Sequence, residues 1–163
     1  MRIILQRVSR ASVAVKGEVI ASIGTGFMAL VGFGAGDEAA SGESKERSRI
    51  LTLLEKIPVL RVFPDENGRM NKNLTDCDGE LLLVSQFTLY ADCSRGRRPS
   101  FQNACPPEAA AQLFDFFCCE AEKRLPGKVR RGVFGATMDV ALVNSGPVTI
   151  CLSTDENTES ETS

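Results

Sequence analysis

No histidine occurs anywhere in the sequence. A Ser-His-Asp or Cys-His system needs an imidazole to take the nucleophile's proton near neutral pH, so both are excluded. The Gly-x-Ser-x-Gly elbow of α/β-hydrolases is missing as well. Six cysteines are present, but none form a Cys-x-x-Cys pair. With no histidine to join them, neither a zinc site nor any other metal or cofactor is expected. A disulfide framework belongs to small secreted chains, so reduced, mostly buried thiols are the expectation. No apolar run approaches the roughly 18 residues of a membrane span. The opening stretch Met1–Arg7 is charged too early for a secretory signal and reads as the start of a strand. A cytoplasmic protein is expected.

What is there suits one domain. The chain has 163 residues, with 43% apolar and 25% charged side chains, ordinary values for a globular protein. The formal charge of −2 hides an asymmetry. Asp155, Glu156, Glu159 and Glu161 crowd a Ser/Thr-rich end, and without them 17 acidic residues face 19 basic ones. Residues 1–152 are therefore expected to form the domain and 153–163 an acidic polar tail. Two basic clusters stand out, Arg95/Arg97/Arg98 and Lys128/Arg130/Arg131. Taken alone, such clusters read first as solvated surface and second as contacts for nucleic-acid phosphates.

Periodicity gives an α+β class. Ile3–Val8 and Ser12–Val15 read as strands, and Lys16-Gly17 turns the chain into a third, Glu18–Ile23. Phe27–Phe33 is continuously apolar, as a strand covered on both faces would be. Between residues 41 and 57, Ile50, Leu53, Leu54 and Ile57 fall at helical spacing. Leu60–Phe63 predicts a strand ended by the turn Pro64–Gly68, and Glu80–Val84 another strand. Pro106-Pro107 opens a second helix with an apolar face of Ala110, Leu113, Phe114, Phe117, Cys118 and Ala121. Met138–Val143 and Val148–Leu152 close the pattern. Short turns between successive strands imply a compact, barrel-like, largely antiparallel or mixed sheet with two main amphipathic helices.

Gly32-Phe33-Gly34-Ala35-Gly36 places its third glycine one position early for a dinucleotide loop, and no Gly-Lys-Ser/Thr follows. It reads as a loop that needs flexible backbone. Asp65, Glu66, Asp76 and Asp78 lie in turns without the spacing of a Ca²⁺ loop.

Two segments next to strands carry a resemblance: Ser85-Gln86-Phe87-Thr88-Leu89, and Asn144-Ser145-Gly146-Pro147-Val148-Thr149. Together with Gln6-Arg7-Val8, Arg97–Phe101 and Gly132–Met138, they resemble the signature set of the D-aminoacyl-tRNA deacylases. The resemblance runs from Met1 to about Leu152, and the acidic tail has no place in it.

The resemblance implies a homodimer that hydrolyses D-aminoacyl-tRNA, with glycine mischarged on tRNA as a further candidate substrate. It implies that Gln86, Phe87 and Thr88 do the catalytic work through main-chain groups, with the terminal 2′-hydroxyl of tRNA assisting. Ser85, Phe134 and Met138 would line the substrate pocket. Gly146-Pro147, with a cis peptide bond, would enter the partner's pocket and exclude L-amino acids, supported by Arg7. The two basic clusters would contact tRNA phosphates. Two rivals stand beside this reading: an editing module for a mischarged L-amino acid, like that of some archaeal threonyl-tRNA synthetases, and a non-enzymatic nucleic-acid-binding dimer.

Overall fold

The structure, a computed structural model, describes residues 1–40 and 44–154. Its first strand, β1 (Arg2–Val15), is continuous where two strands were expected. The polar pair Ser9-Arg10 does not end it, because a register shift against the last strand absorbs the break. Lys16 and Gly17 both take positive φ, 53° and 83°, as a two-residue hairpin turn requires. They deliver β2 (Glu18–Ile23) antiparallel to β1.

The remaining sheet builds outward from β1. Strand β3 (Gly26–Gly32) pairs antiparallel with Arg2–Val8. Strand β6 (Glu80–Ser85) lies parallel to β3, and β7 (Val129–Arg131) parallel to β6. The last strand, β8 (Asp139–Ser153), runs antiparallel along β1 and joins the two C-terminal strands expected from sequence into one. Because β2 also packs against β6 and β7, the mixed sheet curls into a nearly closed barrel. A separate small hairpin pairs β4 (Phe63–Pro64) with β5 (Met70–Lys72). Its turn is held by the Asp65 carboxylate, which accepts the N–H of Asn67 at 2.9 Å and of Arg69 at 3.0 Å. The strand expected at Leu60–Phe63 survives only at Phe63.

Two helices cover one face. Helix α1 (Lys45–Val59) starts where the Ser44 hydroxyl accepts the Arg47 N–H at 3.1 Å, so Ser44 is the N-cap. The first residues of the expected helix, 41–43, lie outside the described residues. Helix α2 (Pro107–Arg124) buries the six residues foreseen from its spacing. Pro107 stands at the first helical position, where its missing N–H costs nothing.

Strand alternation sorts the interior into two cores. Phe27, Ala29, Val31, Leu81 and Leu83 face α1 and α2, meeting Ile50, Leu54, Phe114 and Phe117. Met28, Leu82 and Val84 face inward and meet Val8, Val13 and Ile23. β3 and β6 are therefore covered on both sides, as their unbroken apolar sequence requires. Ser153 closes β8 and the Thr154 N–H reaches the Met1 carbonyl at 2.9 Å. The rest of the expected acidic tail lies outside the described residues. No helix among the described residues is long and apolar enough to cross a membrane.

Phe117 is fully buried between α2 and the sheet. Phe117→Ala should cost about 3–5 kcal/mol of unfolding free energy. The exposed Val143→Ala should change it by less than about 0.5 kcal/mol. Guanidinium titration of both variants measures the difference, and a near-equal pair of midpoints would refute the core assignment.

Candidate active site

Ser85 is the last residue of β6 and pairs with Val31. The Gln86 N–H makes the final ladder bond to the Val31 carbonyl at 2.7 Å. The chain then tightens into a 3-10 helix, Phe87–Tyr90, with Gln86 at its start. The first amides of any helix have no acceptor within it. Here Phe87 and Thr88 donate to no backbone carbonyl among the described residues, whereas Leu89 reaches Gln86 O at 3.4 Å and Ala91 reaches Thr88 O at 3.0 Å. The Gln86 side-chain amide donates to the Thr88 hydroxyl at 2.5 Å, holding the turn from outside. Phe87 is exposed and meets Phe101 edge-on at 5.0 Å between centroids.

The turn lies unusually close to β3, and glycine makes this possible. A Cβ on Gly32 would come within 2.7 Å of the Gln86 carbonyl oxygen and 3.1 Å of the Leu89 Cβ. On Gly34 it would meet the Tyr90 ring at 2.4 Å. The glycines read from sequence as flexible loop are thus mainly a matter of space. Gly36 alone of the three needs its conformational freedom, at φ 97° with nothing near its Cβ position.

The second segment is a bulge inside β8. Gln6 pairs with Thr149 and Val8 with Asn144, so residues 145–148 are crowded opposite the single residue Arg7. The Gly146-Pro147 bond in this bulge is cis. Asn144 ties the bulge: its Oδ1 accepts the Val148 N–H at 2.8 Å and its Nδ2 donates to Thr149 Oγ1 at 3.1 Å. The Arg7 Nε donates to the Ser145 carbonyl at 2.7 Å, and its Nη1 to the Val62 carbonyl. Gly146 lies against this arginine, at φ 138°, where a Cβ would sit 2.7 Å from Nη2. Gly146 and Pro147 are both exposed.

Phe134 and Met138 belong to the segment that continues β7 past the end of β6, where the Gly132 N–H bonds Leu83 O at 2.8 Å. Both are half-buried. Phe134 leans on Phe114 at 6.1 Å, and Met138 closes over Gly132, leaving its sulfur 2.6 Å from a Cβ there. Ser85–Thr88, Phe134 and Met138 therefore gather at one end of β6. Gly146-Pro147 does not join them in the same chain. Its register level is Arg7, Phe27 and Leu81, four residues short of Ser85 and three strands away. That offset is about 13 Å along the strands and about 14 Å across them, roughly 20 Å in the surface of the sheet.

The two basic clusters differ in character. Lys128 pairs with Asp78 at 2.7 Å, Arg131 with Asp115 at 2.8 Å, and Arg130 approaches Glu80 at 3.9 Å. Arg95, Arg97 and Arg98 sit on an exposed loop closed by the Asp92–Ser100 bridge, with no hydrogen bond or ion pair among the described residues. At the loop's base, hydrogen bonds from the Ser94 side chain and N–H hold the Asp92 carboxyl below the usual carboxylate range.

All six cysteines are free. Only Cys105 and Cys118 are buried, which corrects the expectation of mostly buried thiols. Burial pushes the Cys118 thiol up to about 12 and Cys105 to about 11, so neither forms a thiolate near neutral pH. No group of three or more His, Cys, Asp or Glu residues that could hold a metal ion occurs among the described residues.

The profile of the D-Tyr-tRNA(Tyr) deacylase family matches residues 4–153. A D-aminoacyl-tRNA deacylase of Roseiflexus sp. (strain RS-1) is 55% identical over 152 residues, 93% of this chain and 92% of the relative. The D-aminoacyl-tRNA deacylase of Nitratidesulfovibrio vulgaris (strain DP4) is 50% identical over 152 residues, again 93% and 92% of the two chains. A solved structure called c-Myc DNA Unwinding Element Binding Protein superposes with a TM-score of 0.82 at 39% identity, covering 94% of this chain and 98% of that one. A second, from a structural analysis of a probable eukaryotic D-amino acid tRNA deacylase, shares the fold with a TM-score of 0.74 at 18% identity, covering 93% and 97%.

Tyr90 is the single tyrosine and there is no tryptophan, so intrinsic emission reports on this turn alone. Gly34→Ala must push the Tyr90 ring away and should change both its emission and its quenching by acrylamide. Gly24→Ala, where the new methyl would meet only the Glu80 Oε2 at an ordinary 3.7 Å, should leave them as they are. Identical spectra for Gly34→Ala and the parent protein would contradict the close packing.

Proposed function

The chain belongs to the D-Tyr-tRNA(Tyr) deacylase family, and we propose that it hydrolyses the ester joining a D-amino acid to the terminal adenosine of tRNA through main-chain groups, in a site completed by a second copy of the chain. The observation that carries this reading is the pair of unengaged amides, Phe87 and Thr88, at the start of the 3-10 helix beyond β6. Water attack on the ester carbonyl places negative charge on its oxygen. An amide aimed at that oxygen stabilises the transition state by about 2.7–4 kcal/mol, the loss seen when one such donor is removed elsewhere. The terminal 2′-hydroxyl of the tRNA assists the attack, so no side-chain base is needed. Thr88, held by Gln86, orients the substrate and is not the nucleophile. Ser85, Phe134 and Met138 line the pocket at the same end of β6.

Selection of the D-form is assigned to Gly146-Pro147 of the partner subunit. Within one chain this bulge and the amides are roughly 20 Å apart in the sheet, which favours a homodimer in which each copy completes the other's pocket. Exposed carbonyls on a bulge fixed by Arg7 and Asn144 would hold the substrate's amino group and leave no room for an L-side chain. Backbone meets every amino acid alike, so the side chain goes unread and glycine attached to tRNA is a further candidate substrate. The unpaired arginines 95, 97 and 98 are favoured over Lys128, Arg130 and Arg131 for tRNA phosphates, because acids already neutralise the second set. A cytoplasmic location follows from a tRNA substrate.

The deciding assay compares hydrolysis of matched D- and L-aminoacyl-tRNAs by the purified protein. Only the D-ester should be cleaved. Cleavage of the L-ester alone would support the editing rival, and salt-dependent RNA binding without cleavage the binding rival. Gly146→Val, which forces a side chain onto Arg7, should abolish cleavage or relax the D/L ratio. An unchanged ratio would contradict the inserted bulge.

The donors can be tested separately. Phe87→Pro deletes one amide N–H at the first position of its helix, where proline is tolerated. It should lower kcat by about 10²–10³, whereas Phe87→Ala keeps the donor and most of the rate. Thr88→Ala should retain appreciable hydrolysis. Complete loss in a folded Thr88→Ala protein that still binds substrate would instead point to a covalent intermediate.

A further inference from the structure

The far end of the Phe87–Tyr90 helix opens into a cavity of about 410 Å³ that the reaction above does not use. It is lined by Arg2, Ala35, Tyr90, Ala91, Asp92 and Asn103. Its size falls within the range of small-ligand sites. Arg2 lies over the Tyr90 ring, 4.4 Å from the centroid, and its Nη1 donates to the Leu89 carbonyl at 3.0 Å. These two contacts fix the plane of an exposed guanidinium group. The opposite wall is held as well, since the Ala35 N–H bonds the Asn103 carbonyl at 2.9 Å. The loop that carries Arg95, Arg97 and Arg98 leaves from Asp92 at the rim.

Three features of this lining point to one class of ligand. A guanidinium plane held on an aromatic ring is a stacking surface for an unpaired base. A carboxylate residue in the same lining, Asp92, can accept from an exocyclic amino group, as acidic side chains do from cytosine N4. The exposed arginines on the loop that leaves Asp92 attract a phosphate. The cavity is also close to the reaction site: Thr88 and Tyr90 are two residues apart on a 3-10 helix, about 4 Å along its axis.

We propose that the cavity binds the nucleotide immediately before the terminal adenosine of the tRNA, with a cytosine base stacked on Arg2, its amino group on Asp92 and its phosphate toward Arg95–Arg98. This rests on the substrate assigned under Proposed function. It adds a reason for the enzyme to prefer a tRNA end over a free aminoacyl nucleoside. It also makes Arg2 and Asp92 specificity residues that touch neither the ester nor the amino acid.

The test uses two D-aminoacyl esters, one of adenosine alone and one of the trinucleotide CCA, with Tyr90 emission as a second readout. In the parent protein, unacylated CCA should quench Tyr90 and adenosine should not. Arg2→Ala, and Arg2→Lys which keeps the charge but not the plane, should lower the ratio of kcat/KM for the trinucleotide ester over the adenosine ester by roughly ten- to a hundredfold, the loss expected of one stacked base. Replacing the middle cytidine by uridine should lower that ratio in the parent protein and less so in Asp92→Asn. Equal loss on both esters would mean that Arg2 only supports the turn, and no loss on either would mean that the cavity is empty during the reaction; both overturn the proposal. Quenching by CCA with neither ester cleaved would sink the deacylase reading and leave the cavity's ligand standing.

Discussion

A Cβ on Gly26 would come within 1.9 Å of the Glu80 carbonyl oxygen, and one on Gly32 within 2.7 Å of the Gln86 carbonyl oxygen. These two contacts bracket the parallel pairing of β3 with β6, from Gly26↔Glu80 to Val31↔Ser85. Parallel strands have evenly spaced, slanted hydrogen bonds, so the ladder bond of Gln86 to Val31 settles where the chain leaves the sheet. Everything in the site inherits that exit point. The 3-10 helix starts at once, its first amides find no backbone acceptor among the described residues, and its path is pressed onto β3 because glycines at 32 and 34 leave no side chain in the way. Main-chain N–H groups have no rotamers to adjust, so the placement of the Phe87 and Thr88 amides is as accurate as the sheet beneath them. The cost of burying β3 and β6 on both faces is met by the two apolar cores they separate.

The parts of this arrangement that were legible in the sequence are those with a long period. The buried face of α2 matches its 3.6-residue spacing residue for residue. Leu81–Val84 announces a strand covered on both sides. The short pieces were not legible: β5 and β7 are three residues each and show no alternation to detect. The continuity of β1 and β8 was hidden for another reason. Polar residues at Ser9-Arg10 and the stretch Asn144–Thr149 interrupt the apolar pattern, but bulges keep the hydrogen bonding going through both. Pattern and pairing are separate properties, and only the first can be read from one sequence.

The site was legible as motifs and illegible as geometry. Ser85–Leu89 and Asn144–Thr149 could be quoted from the sequence, yet their separation across three strands follows from register, which no local signal carries. The basic clusters make the same point. Lys128–Arg131 and Arg95–Arg98 look alike on paper. In space the first meets Asp78, Asp115 and Glu80, contributed by other segments, while the second meets no acid among the described residues. The glycines 32 and 34 are the clearest omission. A glycine that makes room for a neighbouring segment is indistinguishable in sequence from one that supplies a positive φ.

The bulge in β8 also bears on how the free edge of that strand can pair. β8 is 15 residues long and, among the described residues, pairs only with β1, so its other side is a free sheet edge. A long, regular edge is a template for unregulated strand addition. Crowding residues 145–148 opposite Arg7 breaks the spacing of N–H and C=O groups along that edge, and Pro147 removes a donor from it. The same device therefore has two effects. It leaves Gly146 and Pro147 exposed on the bulge, and it spoils the edge for pairing in a continuous ladder. A strand approaching this edge meets the bulge before it can extend an indefinite ladder. The exchange of motifs between two chains proposed above is closed and symmetric, so it needs no continuous ladder along such an edge.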